Sequence, residues 1–315
     1  MSLRRALALV GPFVALGLVL ILFASLLPEQ FLSAYNLKTV ATQTVIVGLC
    51  AIGMTFVIVS GGIDLSVGSS IALSSVVTAL ALRQGQPAWL SVLLGVLASA
   101  ALGALNGLMV TRLRIVPFIV TLGSMGMARG LAKYLADEQK VDAPAAGLSA
   151  WMAKTPDPEW LLLAPGVWLW LVLAAVAALV LTRTVFGVHA LAIGSNESTA
   201  RLCGIRVERV KWIIYTLCGV CAGLAGSLQF ARLTVGDPTT ALGKELDVIA
   251  AVVIGGGSLA GGSGSLAGSM IGAFLMTVLA NGCTLLGVPN YVQEMLVGAI
   301  IIAAVAVDRW RHQPG

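Results

Sequence analysis

Three short stretches of the chain hold residue types that elsewhere carry chemistry. The glycine-rich run GGGSLAGGSGSLAG at 255–268 invites comparison with a phosphate-binding loop. That loop needs a lysine followed by Ser or Thr after its last glycine, because the ammonium holds the phosphates. The chain has no lysine after Lys244, so phosphate binding is excluded. Cys218 and Cys221 form a CxxC, but inside an apolar run and not at a strand–helix turn, so they read as small helix-packing residues and not as a redox pair. The histidines, His189 and His312, have no ligand partner at useful spacing, so no metal site is expected. No nucleophile–base cluster is present either, which argues against a membrane enzyme.

The third stretch, GGIDLSVGSS at 61–70, carries a carboxylate and several hydroxyls between two apolar runs. Gly61 and Gly62 would end the first run, since glycine tolerates a left-handed C-cap. Asp64 or Ser66 would cap the next helix and place charge or a hydroxyl at its positive end. A carboxylate close to lipid seldom stands without a partner, so Asp64 is also expected to brace the helix bundle that lines any pathway through it. The layout returns near 255–264, where Asp247 opens an apolar run that stops at Gly255 and Gly256. This hints at an internal repeat with interrupted helices, as in many transporters. Glu294 also falls at a helix start, and Asn290 with Gln293 reads as a capping box. Arg129 is the deep exception. It either snorkels outward with Lys133 or pairs inside the bundle.

These residues must be positioned by membrane helices. Of 315 residues, 58% are hydrophobic and 10% are charged, and the mean hydropathy is +0.97. Soluble domains are about 25% charged, so a soluble core is excluded. Ten apolar stretches approach the roughly 20 residues a membrane helix needs: 6–27, 39–60, 66–83, 88–110, 115–135, 160–182, 211–231, 246–257, 264–286 and 290–307. The fifth is weakened by Arg129 and Lys133, and the eighth is too short to span alone. The fold class is therefore all-α: one polytopic bundle over 1–315, with eight to ten membrane helices, some broken or short. The runs are continuous and not alternating, which excludes a β-barrel. The first is longer than a signal-peptide core and no small-x-small site follows, so it is expected to be retained.

Basic residues collect in cytoplasmic loops. With the N-terminus inside, the inner set is Arg4, Arg5, Arg112, Arg114, Arg183, Arg201, Arg206, Arg209, Lys211, Arg309 and Arg311, which is 11 of the 19 Lys and Arg. Both termini are then cytoplasmic. Trp89, Trp151 and Trp160 fall near the outer interface, Trp212 and Trp310 near the inner one. The net charge of +5 needs only anionic lipid headgroups, not nucleic acid. The long outer segment 136–160 is either a docking surface or a plain connection. The long inner segment 183–211 is expected to hold one short helix near 196–203, capped by Asn196 or Ser198 and bracketed by Gly194 and Gly204. Such a helix either engages a cytosolic partner or lies on lipid headgroups. Pathway walls are expected to be apolar and small.

Five strings in order, SGGIDLSVGS (60–69), VPFIVTLGSMGMARG (116–130), AIGSNESTARLCGIRVERVKWIIY (192–215), GKELDVIAAVVIGGGSLAGGSGSLAGSMIGA (243–273) and NGCTLLGVPNYVQEMLVGAIIIAAVAVD (281–308), resemble the permease subunits of bacterial ABC importers for monosaccharides of the ribose, xylose, arabinose and galactose type. The resemblance implies a multi-pass protein of the bacterial inner membrane with no catalysis of its own. It implies a second permease, identical or similar, a periplasmic sugar-binding protein on the outer face, and ATPase subunits on the inner loops. Those subunits would carry ATP and Mg, so no cofactor is expected in this chain. It also implies an ATPase-coupling segment within 183–211 at Gly194, Asn196, Ala200, Arg201, Gly204 and Ile205. The remaining alternative is a secondary transporter driven by an ion gradient. It is disfavoured because the acids sit at helix ends and not near the bilayer midplane.

Overall fold

The computed structural model describes the backbone of residues 3–312 and the side chains of residues 11–158 and 160–306. Arg4, Arg5, Arg309, Trp310, Arg311 and His312, which carry part of the charge and aromatic expectations, lie outside the described side chains. Among the described residues the helices are α1 (Leu3–Leu26), α2 (Pro28–Phe31), α3 (Ala34–Val59), α4 (Val67–Arg83), α5 (Ala88–Arg112), α6 (Pro117–Leu135), α7 (Pro165–Arg183), α8 (Val185–Ser195), α9 (Glu197–Leu202), α10 (Val207–Leu233), α11 (Lys244–Ile254), α12 (Leu266–Leu285) and α13 (Asn290–His312). Two-residue strands, β1 (Val141–Asp142) and β2 (Val235–Gly236), pair antiparallel with Val141 opposite Gly236.

Every expected apolar run falls on a helix. Helices α3, α5, α7, α10 and α12 are long and apolar enough to cross a membrane, and α1, α4 and α13 hold shorter apolar windows. At about 1.5 Å per residue, α11 reaches only about half of the roughly 30 Å hydrocarbon layer. Large apolar side chains stand on the outside of the bundle, among them Leu18, Leu97, Ile119, Met127, Leu179 and Ile302. Soluble monomers rarely expose such a continuous belt, and here lipid covers it. The chain is a multi-pass membrane protein.

Helix α3 is apolar all round and is buried along nearly its whole length, as a central helix should be. Against it packs α10, which in turn lies on α5. The α5 face toward the interior is a row of small residues at four-residue spacing: Ser91, Gly95, Ser99, Gly103 and Gly107. That row lets backbones touch. A Cβ on Gly223 of α10 would stand 2.7 Å from the Val96 Cα. Serine hydroxyls then tie the helices together: Ser74 donates to the Gly223 carbonyl at 2.7 Å and Ser99 to the Ser70 carbonyl at 2.8 Å. This is how helices associate where lipid removes the hydrophobic drive. Cys218 serves the same packing, with its Cα 2.7 Å from where a Gly53 Cβ would sit.

One end of the bundle is basic. Arg112, Arg114, Arg206 and Arg209 line a depression beside Trp212, and Arg201 and Lys211 line the next one. At the opposite end Arg129 turns inward and donates to the carbonyls of Pro238 (2.8 Å) and Thr240 (2.7 Å). Of its two expected alternatives, it pairs inside the protein. Nearby, Lys140 pairs with Asp237 at 3.5 Å. The segment 136–160 is thus tied to the 234–240 turn by β1–β2 pairing and this ion pair. The capping box expected at Asn290 and Gln293 does not form. Helix α13 already includes Asn290, whose amide donates to Glu294, while Gln293 donates to the Val288 carbonyl.

Candidate functional site

The two interrupted stretches adopt the same turn. At the end of α3, Gly61 N–H bonds the Ile58 carbonyl and Gly62 N–H the Val57 carbonyl, each at 2.9 Å. At the end of α11, Gly256 bonds Val253 and Gly257 bonds Val252, again each at 2.9 Å. Both are Schellman caps, which place the residue after the cap in the left-handed region, and Gly61 (φ +77) and Gly256 (φ +91) occupy it. The neighbouring glycines serve space instead. A Cβ on Gly62 would strike the Tyr215 hydroxyl, and one on Gly255 would strike the Gly268 backbone of α12. The layout similarity read from the sequence is therefore a similarity of backbone geometry.

After the first turn, Asp64 Oδ1 accepts from the Ser66 N–H at 2.9 Å and from the Ser66 hydroxyl at 2.6 Å. Between the two expected caps, Asp64 does the accepting. Ser66 occupies the N-cap position of α4 but makes no side-chain cap bond. Its Oγ accepts instead from the Asn106 amide of α5 at 3.0 Å. All three side chains are buried. Asp64 thus fixes the start of α4 and, through Ser66, braces α5.

The segment 183–211 is mostly helical. Thr184 caps α8, accepting from Gly187 N–H at 3.3 Å; α8 itself carries no clear signal in the sequence. Asn196, not Ser198, caps α9, accepting from Thr199 N–H at 2.9 Å. Helix α9 ends in a third Schellman turn: Gly204 (φ +82) bonds the Arg201 carbonyl and Ile205 bonds the Ala200 carbonyl. Ala200 faces in and is buried, while Leu202, the last residue of α9, is 88% exposed. Charges lock the helix to the start of α10. Glu197 pairs with Arg201 at 2.8 Å and with Lys211 at 2.6 Å, and Arg201 also pairs with Glu208. Burial raises the Glu197 carboxyl, yet hydrogen bonds from Lys211 and Arg201 outweigh it and hold the group below the ordinary range.

The end of α3 and the glycine-rich loop meet at Gly194 of α8. A Cβ there would fall on the Val59 carbonyl oxygen and within 2.5 Å of the Gly262 nitrogen. Gly262 N–H in turn bonds the Val59 carbonyl at 2.9 Å. The end of α8, the end of α3 and the glycine-rich loop therefore share one backbone junction at the basic end. Asp247 is not part of it. Asp247 lies near the start of α11, paired with Lys244 at 2.6 Å, about two helical turns before the Gly255–Gly257 turn. The residues singled out in the sequence thus divide between two places.

Residues 36–305 match the family model described as the permease component of a branched-chain amino acid transport system. The chain belongs to this permease family. It is similar to the ribose import permease of Bacillus subtilis (40% identical over 95% of this chain and 92% of the relative). Other similar proteins are the D-allose transport system permease (35%, over 95% and 91%) and the L-arabinose transport system permease (34%, over 94% and 89%), both of Escherichia coli. No solved structure matches.

Within this permease several site residues escaped the sequence reading. Leu202 stands beside Arg201 in the sequence, but only the geometry turns it outward. Gly262 is one glycine among many until its bond to Val59 is seen. Glu197, Glu208 and Lys211 did carry a signal: Glu197 and Arg201 have the four-residue spacing of a helical ion pair.

Proposed function

We propose that this permease is the membrane subunit of an ATP-driven importer in the bacterial inner membrane, moving a monosaccharide handed over by a periplasmic binding protein. The similarity to ribose, allose and arabinose permeases over nearly the full length favours a sugar over the amino acids in the family description. The observation that carries the reading is the α9 elbow: a capped, ion-paired helix with an exposed Leu202 at its tip, seated through Gly194 on the ends of α3 and the glycine-rich loop.

In this reading the basic end is cytoplasmic. ATPase subunits, which bind ATP and Mg in place of this chain, engage the coupling segment around α9, in which Asn196 and Arg201 lie at the surface, Gly204 and Ile205 form its closing turn, and Ala200 and Gly194 seat it on the bundle. Their closure on nucleotide moves the elbow as a body. The junction passes that motion to α3 and α12, biasing a two-state bundle between outward and inward forms. The sugar-loaded binding protein biases it from the other end, on the face that includes 136–160. A second permease, identical or similar, covers part of the exposed apolar surface.

The test is uptake by the complex, isolated with its partner subunits from native membrane and reconstituted in vesicles. D-ribose, D-allose or L-arabinose should accumulate on ATP and continue when a protonophore removes the ion gradient. Uptake that needs the gradient and ignores ATP overturns the reading, and uptake of leucine in place of the sugars overturns the substrate class.

A further inference from the structure

At the end opposite α9, the helices α3, α10, α11 and α12 enclose a cavity of ≈ 260 Å³. Its walls are mixed, with Ile46, Val47 and Met276 beside polar groups. Amide and hydroxyl groups of Gln43, Gln229, Asn281 and Thr277 line it, together with the Arg232 guanidinium and the Lys244–Asp247 ion pair. Small-molecule pockets run from roughly 300 Å³ upward for drug-sized ligands, so this one has room for a single sugar ring and little more.

Most of these groups are already engaged. Gln229 donates to Thr240 at 3.0 Å, Thr277 to the Ala273 carbonyl at 2.9 Å, and Asn281 exchanges hydrogen bonds with Asn36. Two are not. Among the described residues Arg232 has neither an ion pair nor a hydrogen bond, and its Nε is shut off from solvent with no acceptor. No hydrogen bond holds the Gln43 amide either. A shielded donor without an acceptor is costly, and a charged group at membrane depth ordinarily finds a partner or serves function. An arginine near a helix end can instead snorkel to the interface. Arg232 and Gln43 both line the cavity.

We propose that this cavity is a sugar-hydroxyl subsite of the permease itself, with Arg232 and Gln43 as direct ligands of one uncharged monosaccharide entering the pathway. The terminal amino groups of a guanidinium offer a planar fork of donors to two neighbouring hydroxyls, and an amide offers an NH2 donor and an oxygen acceptor. Asp247, with one oxygen held by Lys244, has the other available to accept from a hydroxyl. The channel then selects by the hydrogen-bonding groups that line it, in addition to whatever the binding protein selects.

This inference rests on the reading of the permease as a monosaccharide importer, and one experiment separates the two. The complete reconstituted complex is compared as wild type, Arg232→Gln and Gln43→Leu. Import of D-ribose, D-allose and L-arabinose is measured alongside ATP hydrolysis stimulated by loaded binding protein. Each variant should lower import of the preferred sugar by on the order of tenfold, the weight of one lost charge-assisted or buried hydrogen bond. Each should also change the ranking of the three sugars, with stimulated hydrolysis unaltered. Should Arg232→Gln fail to reach the membrane, Gln43→Leu decides alone, since it breaks no hydrogen bond among the described residues. Unchanged import and ranking in Gln43→Leu, or wild-type preference for D-galacturonate over the neutral sugars, overturns the subsite. A wild-type complex that imports none of the sugars on ATP overturns the importer reading beneath it.

Discussion

Gly262 donates its backbone N–H to the carbonyl of Val59 at 2.9 Å. Roughly two hundred residues separate them, and the bond joins the glycine-rich loop to the last turn of α3. Gly194 lies against both partners with no room for a side chain. The bond joins main-chain atoms of a helix-ending turn and of the loop that leads into α12, so it ties α3 to α12 without depending on any side chain.

Two glycines of the elbow should therefore fail for different reasons. Gly194→Ala sets a methyl onto backbone atoms, and overpacking of that kind costs about 1–3 kcal/mol. Gly204 has open space around it, and its only demand is the left-handed φ. Gly204→Ala should cost about 1–2 kcal/mol from its Cβ in the left-handed region, and Gly204→Val more. Thermal unfolding of the purified permease should rank Gly194→Ala below Gly204→Ala. Gly204→Val should insert in the membrane yet lose coupled import. Normal sugar transport by Gly204→Val would move the coupling segment elsewhere.

Asn36 and Asn281 exchange two amide hydrogen bonds of 3.0 Å across α3 and α12, both buried. Asn281→Ala leaves the buried Asn36 Oδ1 without its donor, while Nδ2 keeps its bond to the Phe31 carbonyl at 3.0 Å, a loss of about 1–3 kcal/mol. Replacing both, Asn36→Leu with Asn281→Ala, removes the stranded group along with its partner. The double variant should lose less than the sum of the singles in a double-mutant cycle of thermal stability. Strict additivity would mean that the pair carries no coupling.

Much of this arrangement was legible in the sequence. Ten apolar runs became helices because nothing else satisfies backbone groups in lipid, and Gly61, Gly62 and Asn196 took the turn and cap positions their chemistry favours. What stayed hidden was tertiary. Whether Arg129 pointed out or in depended on the Pro238 and Thr240 carbonyls reaching it. Helix α8 has no apolar periodicity that separates it from a loop. The polar cavity draws Gln43, Arg232 and Asn281 from three distant helices, and no spacing along the chain joins them.

Glu197 titrates below the ordinary glutamate value in the folded protein, so its pairing with Lys211 and Arg201 contributes order fully above that value of about 4.3. The contribution fades as pH falls through the lowered folded value. The side chain is about 41% exposed, so salt screens the effect and it stays small. Hydrogen exchange of the α9 amides should be flat from neutral pH down to about 5 after correction for intrinsic rates. It should rise under more acidic conditions, and sooner in high salt. An α9 that loosens between pH 8 and 6 would rule out this carboxylate as its lock.

Cys203 is exposed at the tip of the elbow, whereas Cys50, Cys218 and Cys283 are buried and Cys221 is half-buried. A charged maleimide that does not cross the bilayer should therefore report on one site. The charge bias places Arg201, Arg206, Arg209 and Lys211 on the cytoplasmic side, and Cys203 lies among them. In right-side-out vesicles the reagent should leave the protein unlabelled, and in inside-out vesicles it should label Cys203, with Cys203→Ser abolishing the signal. Saturating amounts of the partner ATPase should slow the labelling, since Leu202 and Cys203 would lie under it. Labelling from the outside would invert the bundle. The α9 elbow would then face the binding protein and no longer an ATPase, and the Arg232 cavity would open to the cytoplasm.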